Sequence, residues 1–261
     1  MITERTRTLS LRSRGRQLRG LVVLILIALS SVAAHAFSFE PISQEFATTG
    51  PQANRVFRVT NTTNDRIAVR IAVRPRRIER DGTEIQGKES EHFIVYPRQM
   101  LLEPGEGRSV RVRWDGPAQI DAELPFRIIA EQLPVTMDEP EPAQGAAIRL
   151  TYRYEGSLYV IPPGAEPDVS VTSVARVERP DGEYLRVTIS NAGTRHTLLS
   201  NAELTLSRDP DGEGDIIMRT HELQGLAGEN MLAGSTRDFL VAMPGELWQG
   251  QVYAQIRFEA E

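Results

Sequence analysis

The sequence predicts an all-β protein built as two β-sandwiches joined by a short proline-rich connection. Three observations predict it. Runs that alternate apolar and polar residues recur along most of the chain, and a period of two marks a strand with two chemically different faces. Asp81-Gly82, Asp181-Gly182 and Asp211-Gly212 are hairpin-turn signals, because Asp and Gly tolerate the positive φ that such turns require. Pro162-Pro163-Gly164-Ala165-Glu166-Pro167 interrupts the pattern as a linker does, and the pattern then starts again.

In chain order, Arg5, Arg7, Arg12, Arg14, Arg16 and Arg19 form a basic start ahead of the apolar run Leu21 to Leu29. Ala34-His35-Ala36 follows, with small residues at the two positions a signal peptidase reads, so 1–36 is expected to be a secretory signal cleaved before Phe37. The apolar run is short for a bilayer span, and a retained anchor is the competing reading. No later run is apolar enough to span, so no stable membrane insertion is expected after cleavage. The remainder divides into 37–161 and 162–261, each of ordinary domain size.

In the first domain the expected strands are Ala53 to Thr60, Arg66 to Val73, Phe93 to Tyr96, Arg108 to Trp114 and Pro125 to Gln132. Ile67, Val69, Ile71 and Val73 share one face; Arg66, Ala68, Arg70, Ala72 and Arg74 share the other. In the second domain they are Asp168 to Arg176, Tyr184 to Ser190, Leu198 to Leu206, Asp238 to Ala242 and Gln251 to Phe258. Short strands at such spacing indicate sandwiches of the immunoglobulin kind, with little room for helices.

Composition removes several function classes. The whole chain carries a formal net charge of −5, and the signal holds six of its basic residues, so the remainder is still more acidic. That argues against a nucleic-acid binder, whose affinity rests on neutralising phosphates. The chain has no cysteine, so an exported protein of this sequence is held together by burial without disulfides. Lys88 is the only lysine among thirty basic residues, a bias that reads as codon usage before function.

Candidate chemistry is sparse. Asp209-Pro210-Asp211-Gly212-Glu213-Gly214-Asp215 resembles a calcium loop in its alternating oxygens, but Thr220 stands where the closing glutamate belongs, so a solvated hairpin tip is the expected structure. His92, His196 and His221 lack ligand spacing and read as surface or core histidines. No Gly-x-Ser-x-Gly, phosphate-cradling loop or cysteine nucleophile occurs. No catalytic residue, metal or cofactor is assigned. Asn61-Thr62-Thr63 fits a glycosylation sequon but marks a strand end and turn; Asp138-Glu139-Pro140-Glu141 reads as a mobile acidic loop.

Gly145 to Ile161 is the most informative stretch. From Ile148 to Tyr154 the alternation is strict, with Ile148, Leu150, Tyr152 and Tyr154 on one face and Arg149, Thr151 and Arg153 on the other. Strand from Ile148 to Ile161 would reach roughly 45 Å, beyond a common strand, and would lead from one domain into the next. An ordinary last strand whose apolar face lies in its own core is the plainer alternative.

Phe93-Ile94-Val95-Tyr96-Pro97 and Leu102-Glu103-Pro104-Gly105-Glu106-Gly107-Arg108-Ser109-Val110-Arg111-Val112-Arg113 closely resemble the first domain of the PapD-like periplasmic chaperones of pilus assembly. Val59-Thr60-Asn61, Pro125-Phe126-Arg127-Ile128 and Gln132-Leu133-Pro134 fall in the right order around them. The second domain matches only in outline, through Ile189-Ser190-Asn191 and its strand-rich pattern. The resemblance implies two immunoglobulin-like sandwiches arranged as an L, with the last strand of the first lent to an incomplete pilus subunit. Strand donation of this kind is a known mode of peptide recognition, with main-chain hydrogen bonds for affinity and alternate side chains for pockets. Carried onto this chain, the donated side chains are Ala146, Ile148, Leu150 and Tyr152, with Tyr154 next on the same face. The resemblance further implies a periplasmic location, a pilus subunit as partner, an outer-membrane usher as a second possible partner, and no enzymatic activity.

One family feature does not carry over. Most members anchor the subunit's terminal carboxylate with an arginine on the first strand and a lysine on the long one. Here Phe37 to Asn54 contains no Arg or Lys, and Ser157 stands at the lysine position. The replacement candidates are Arg127, expected near Arg66, Arg70 or Arg74, together with Arg149 and Arg153; outward arginines that merely solvate the sheet are the alternative. The short cysteine-free segment between Leu133 and Ala146 resembles chaperones of thick, rigid pili. A structural pilus or surface subunit is the alternative function, but such a subunit shows one incomplete sandwich and often a disulfide. An enzyme or carbohydrate-binding sandwich has no supporting constellation. Amino-terminal sequencing of the exported protein is expected to begin at Phe37, and a start far from it defeats the signal assignment.

Overall fold

The computed structural model describes residues 37–134, 150–210, 214 and 216–259. Among these, regular structure is β apart from single 3₁₀ turns at Pro51–Ala53 and Thr220–Glu222. The first set of strands is β1 (Ser38–Glu40), β2 (Ser43–Ala47), β3 (Asn54–Thr60), β4 (Ile67–Ile78), β5 (Glu84–Gln86), β6 (Phe93–Tyr96), β7 (Gln99–Leu102), β8 (Gly107–Trp114), β9 (Leu124–Leu133) and β10 (Arg153–Ile161). One sheet runs β1-β3-β8-β6; the other runs β2-β10-β9-β4-β5, with β7 also on β4.

The alternation decides which face is buried. Ile67, Val69, Ile71 and Val73 of β4 pack with Phe57 and Val59 of β3 and Val110 and Val112 of β8 in one core. Phe93 sits edge-on to Trp114 and Phe126, with ring centroids 5.1 and 5.0 Å away. Such pairs add to area burial because ring edges and faces carry opposite partial charge.

The second set is β11 (Val169–Arg179), β12 (Gly182–Asn191), β13 (Thr197–Leu198), β14 (Ser200–Ser207), β15 (Ile216–Arg219), β16 (Asn230–Met231), β17 (Thr236–Ala242) and β18 (Tyr253–Glu259). Sheets β11-β12-β17 and β15-β14-β18 enclose a separate core of Leu185, Val187 and Ile189 against Leu204, Leu206 and Met218, while β13 and β16 form a small ladder. The fold is therefore two immunoglobulin-like sandwiches.

Three strands differ from expectation. β4 runs on through Pro75 to Ile78, because Pro75 stands at its last pair with β9 and ahead of its first with β5, a ladder end where a missing N–H is tolerated. The run Leu198 to Leu206 is broken at Leu199, and Asn201 follows at φ 49° beside a register shift against β18. The long strand starts at Arg153, five residues later than Ile148. Its partner β9 ends at Leu133, and Gln132 N donating to Tyr152 O is the last backbone bond there. The Asp81-Gly82 and Asp181-Gly182 turns join β4 to β5 and β11 to β12 as expected, whereas Asp211-Gly212 lies outside the described residues.

Each sandwich carries the same buried asparagine device. Asn61, fully buried at the end of β3, donates Nδ2 to Asp65 O (2.7 Å) and Leu102 O (3.1 Å) and accepts Thr63 N at Oδ1 (2.9 Å). Asn191, fully buried at the end of β12, donates to Arg195 O (2.8 Å) and Met231 O (3.0 Å) and accepts Asp168 N (3.0 Å) and Gly193 N (3.1 Å). Asn61 is thus a structural clamp, in keeping with its reading as a strand end. The proline-rich segment is itself held down, since Thr194 N donates to Glu166 O at 2.8 Å and Ala192 N to Asp168 O at 2.7 Å.

The two sandwiches are tied directly. The Tyr159 ring lies flat on His196 at 3.6 Å, and His196 Nδ1 is 2.6 Å from Glu123 Oε2. At the tip of the β4–β5 hairpin, Arg80 pairs with Asp238 at 2.9 Å and Asp238 N donates to Arg80 O at 2.7 Å. Replacing either asparagine strands several buried donors and acceptors at once. Asn61→Ala and Asn191→Ala are each expected to cost about 2 to 4 kcal/mol in urea unfolding, and a change near zero refutes the clamp role.

Candidate functional site

The backbone of β10 is paired unevenly. From Arg153 to Val160 it is bonded on one side to β9, and from Ser157 to Ile161 also on the other side to β2, in parallel. The β2 ladder begins only where Ser157 N donates to Ile42 O at 2.7 Å. Among the described residues, Arg153 to Gly156 therefore present one edge with no strand beside it. Gly156 sits where this edge closes, since a Cβ there would meet Ile42 O at 2.8 Å.

The inward face of β10 is divided as well. Leu158 and Val160 are fully buried in the core of the first sandwich. Tyr154 packs edge-on against Phe37 at 4.8 Å, and both Tyr154 and Tyr152 lie half-buried against that same core. Leu150 is 69% exposed. Ala146, Ile148 and Arg149 lie outside the described residues.

The outward face of the same sheet carries a cation cluster. Arg127 of β9 donates Nε to Glu84 Oε1 at 2.8 Å and Nη2 to Glu84 Oε2 at 2.6 Å, a bidentate pair, and Nη1 to Ser157 Oγ at 2.7 Å. Arg76, its side chain only 2% exposed, donates Nη1 to Glu84 Oε2 at 3.0 Å and Nη2 to the Tyr159 hydroxyl at 2.6 Å. Asn230 of the second sandwich donates Nδ2 to that hydroxyl at 2.7 Å. Arg74 stands opposite Arg127 in register, and its buried Nε has no hydrogen-bond partner among the described residues. Two guanidinium groups thus share the Glu84 carboxylate, with Arg74 in register beside them.

Burial pushes the Glu84 carboxyl upward, but hydrogen bonds from Arg127, Gln86 and Arg76 and the charge of Arg127 outweigh it and hold the group down at about 2. The same bond to Glu84 raises Arg127 above its ordinary value, against the opposing effect of burial.

Of the residues proposed for a carboxylate site, the structure brings Arg127 to Ser157 and Arg153 as far as Gln86, the neighbour of Glu84 on β5. Arg153 pairs with Glu155 at 2.8 Å and donates Nη2 to Gln86 Oε1 at 3.4 Å, while its backbone stands opposite Glu131, about 13 Å along the strand from Ser157. Of the neighbours expected for Arg127, only Arg74 is adjacent; Arg66 pairs with Glu103 and Arg70 with Glu89 instead. Sequence reasoning missed Arg76, Glu84, Tyr159 and Asn230. The continued alternation Arg74-x-Arg76-x-Ile78 was a usable signal for Arg76, because it sets both arginines on one face of a longer β4. No group of histidines and acids fit to hold a metal is found among the described residues, and most of the loop resembling a calcium site lies outside them.

A pair of sandwiches with one half-paired strand running from the first toward the second defines the class of fold. Residues 44–166 match the family described as pili and flagellar-assembly chaperone, PapD N-terminal domain, so the first sandwich is a domain of this kind. Three solved structures illustrate the likeness. A chain from a chaperone–tip adhesin complex of CFA/I fimbriae biogenesis has TM-score 0.53 and 14% identity, covering 85% of this chain and 98% of that one. The class 5 fimbriae chaperone CfaA has TM-score 0.51 and 14% identity, covering 86% and 100%. A chain from the CsuC–CsuE chaperone–tip adhesion subunit pre-assembly complex of Acinetobacter baumannii has TM-score 0.50 and 15% identity, covering 78% and 89%. No curated protein matches the chain in sequence.

The Glu84 cluster makes a signed prediction about pH. A carboxyl held at about 2 against an ordinary 4.5 stabilises the fold fully above the ordinary value, and that stability is lost as pH falls toward 2. Urea unfolding is expected to show the wild type more stable than Glu84→Gln at pH 7, with the gap closing between pH 4.5 and 2. A gap that does not change with pH refutes the assignment.

Proposed function

We propose that this protein is a periplasmic chaperone that holds an incomplete pilus subunit by donating β10 and the residues before it. The carrying observation is the edge of Arg153 to Gly156, bonded by β9 on one side and left open on the other just where Leu150 emerges exposed. Unpaired edge groups are a template for another strand, and a folded protein normally blunts them. A subunit lacking its final strand has the complementary defect. Ala146, Ile148 and Leu150 fill its open groove, and Tyr152 and Tyr154, packed on the chaperone's own core, form the floor where the two cores become continuous. Each buried Leu or Ile contributes on the order of 1.5 to 3 kcal/mol, so a few such anchors hold a subunit without a covalent bond.

The subunit's terminal carboxylate is received by Arg127, with Arg76 and Arg74 beside it. The bond from Arg127 to Ser157 supports this, because it delivers a guanidinium to the position where the family's lysine is missing. Arg149 and Arg153 are the further candidates for contact with the subunit along the outer edge. This role accords with export by the segment 1–36, a domain division near Ile161, no metal or cofactor, no catalytic turnover, and delivery of the complex to an outer-membrane usher. The chaperone in the CsuC–CsuE complex is described with its tip adhesion subunit, which makes a pilus or tip subunit the partner class to test.

Leu150→Asp separates donation from self-support. It puts an unpaired charge into the subunit's groove while leaving this chain's core untouched. The variant is expected to melt as the wild type does and to lose co-purification with subunit from the periplasm, whereas Leu158→Asp, at a fully buried position, is expected to unfold. A Leu150→Asp protein that still protects subunit overturns the donor-strand reading.

A further inference from the structure

The arginine site is already occupied by a carboxylate of the chain itself. Glu84 lies on β5, a three-residue strand held to β4 by the pairs Arg76–Gln86, Arg77–Ile85 and Ile78–Glu84. From there its carboxylate takes the fork of Arg127 and one nitrogen of Arg76. Its neighbour Gln86 donates Nε2 both to Glu84 Oε1 at 3.1 Å and to Glu155 Oε2 of β10 at 2.6 Å. The β4–β5 hairpin therefore lies as a strap over the outward face of the strand that is proposed to be donated.

Resting on the function proposed above, we infer that Glu84 is a built-in stand-in for the subunit's carboxylate, seated on the Arg127 fork in the free protein and displaced from it when a ligand carboxylate binds. Two features make displacement rather than addition the natural outcome. A guanidinium has two edges that can take a carboxylate in bidentate fashion; on Arg127 Glu84 holds the Nε–Nη2 edge and Ser157 takes Nη1 of the other, so neither edge is open to a second carboxylate. Both arginines are also held without Glu84, Arg127 by the Ser157 hydroxyl and Arg76 by the Tyr159 hydroxyl, so the fork stays aimed after Glu84 leaves. A short edge strand is also among the least costly parts of a fold to move.

In the resting state the stand-in neutralises charge on the partly buried pair Arg127 and Arg76, with Glu155 acting on Arg127 only at longer range. It also makes the site selective. A weakly bound small anion must compete with a preorganised internal carboxylate, whereas a subunit brings its carboxylate together with an apolar strand, at high effective concentration.

The test is acetate binding followed through the arginine Nε–H resonances by NMR, with acetate replacing chloride at constant ionic strength, for wild type, Glu84→Gln, Glu84→Asp and Arg127→Ala. Glu84→Gln is expected to bind acetate at Arg127 about tenfold more tightly than wild type, since a charged competitor is gone. Glu84→Asp, ionised but one methylene short of the fork, is expected to fall between them, and it carries the comparison if Glu84→Gln does not fold. Equal or weaker acetate binding in the Glu84 variants, with the Arg127 resonance responding in all of them, overturns the stand-in and makes Glu84 a positioning group. Acetate that moves no Arg127 resonance in any protein, or that binds Arg127→Ala equally well, overturns the carboxylate site itself.

Discussion

The pairing of β10 is the constraint on which the rest of the structure depends. A strand with ladders on both sides is fixed in register and cannot accept another chain. β10 has both ladders only from Ser157 onward, so its second half is a rigid interior strand of the first sandwich. Among the described residues, its first half keeps only β9. The change from two partners to one occurs at Gly156, where Ile42 O approaches so closely that a side chain would collide with it. One strand thus combines a fixed end with an open one, and the fixed end gives the open end a defined direction.

The fixed half also joins the two sandwiches. Its outward face carries Tyr159, which stacks on His196 and accepts hydrogen bonds from Arg76 and Asn230. A tyrosine suits this place because its ring buries area while its hydroxyl needs polar partners. Two residues earlier on the same face, Ser157 accepts from Arg127. The arginine cluster is thereby attached to the strand that holds the sandwiches together, and its geometry follows from their contact as much as from the first sandwich alone.

Where alternation was strict and one face apolar, the sequence predicted strands well. Ile67 to Val73, Phe93 to Tyr96 and Arg108 to Trp114 all appear as strands, with Ile67, Val69, Ile71 and Val73 together on the core side as expected. It failed at short or polar elements. β1, β2, β5, β7, β15 and β16 carry too few residues for a period to register, and β4 beyond Val73 was hidden by a proline and three arginines. The site was less legible than the fold for the same reason. Arg127 was found because a family resemblance drew attention to the missing lysine at Ser157, but Glu84, Tyr159 and Asn230 come from different strands and from both sandwiches. Only tertiary packing brings them together, and no local spacing encodes it. The length of the long strand was overestimated because alternation reports which face a residue would use, and says nothing about whether a partner strand is there.

On the proposed reading, the apolar strip and the arginine cluster have separate tasks. An alternating strip of similar aliphatic side chains binds well in more than one register, since a shift by two residues restores the same faces. A charged end group does not tolerate that shift, because moving it by two residues, about 7 Å, carries the carboxylate away from the Arg127 fork. Leu150 is seven residues from Ser157, roughly 23 Å along an extended chain, so the two parts are far enough apart to act as independent constraints on one bound strand. Affinity then comes mainly from the apolar part and register from the charged part. An Arg127 fork already shaped around Glu84 meets that second need, since the geometry that accepts a carboxylate is present before any partner arrives.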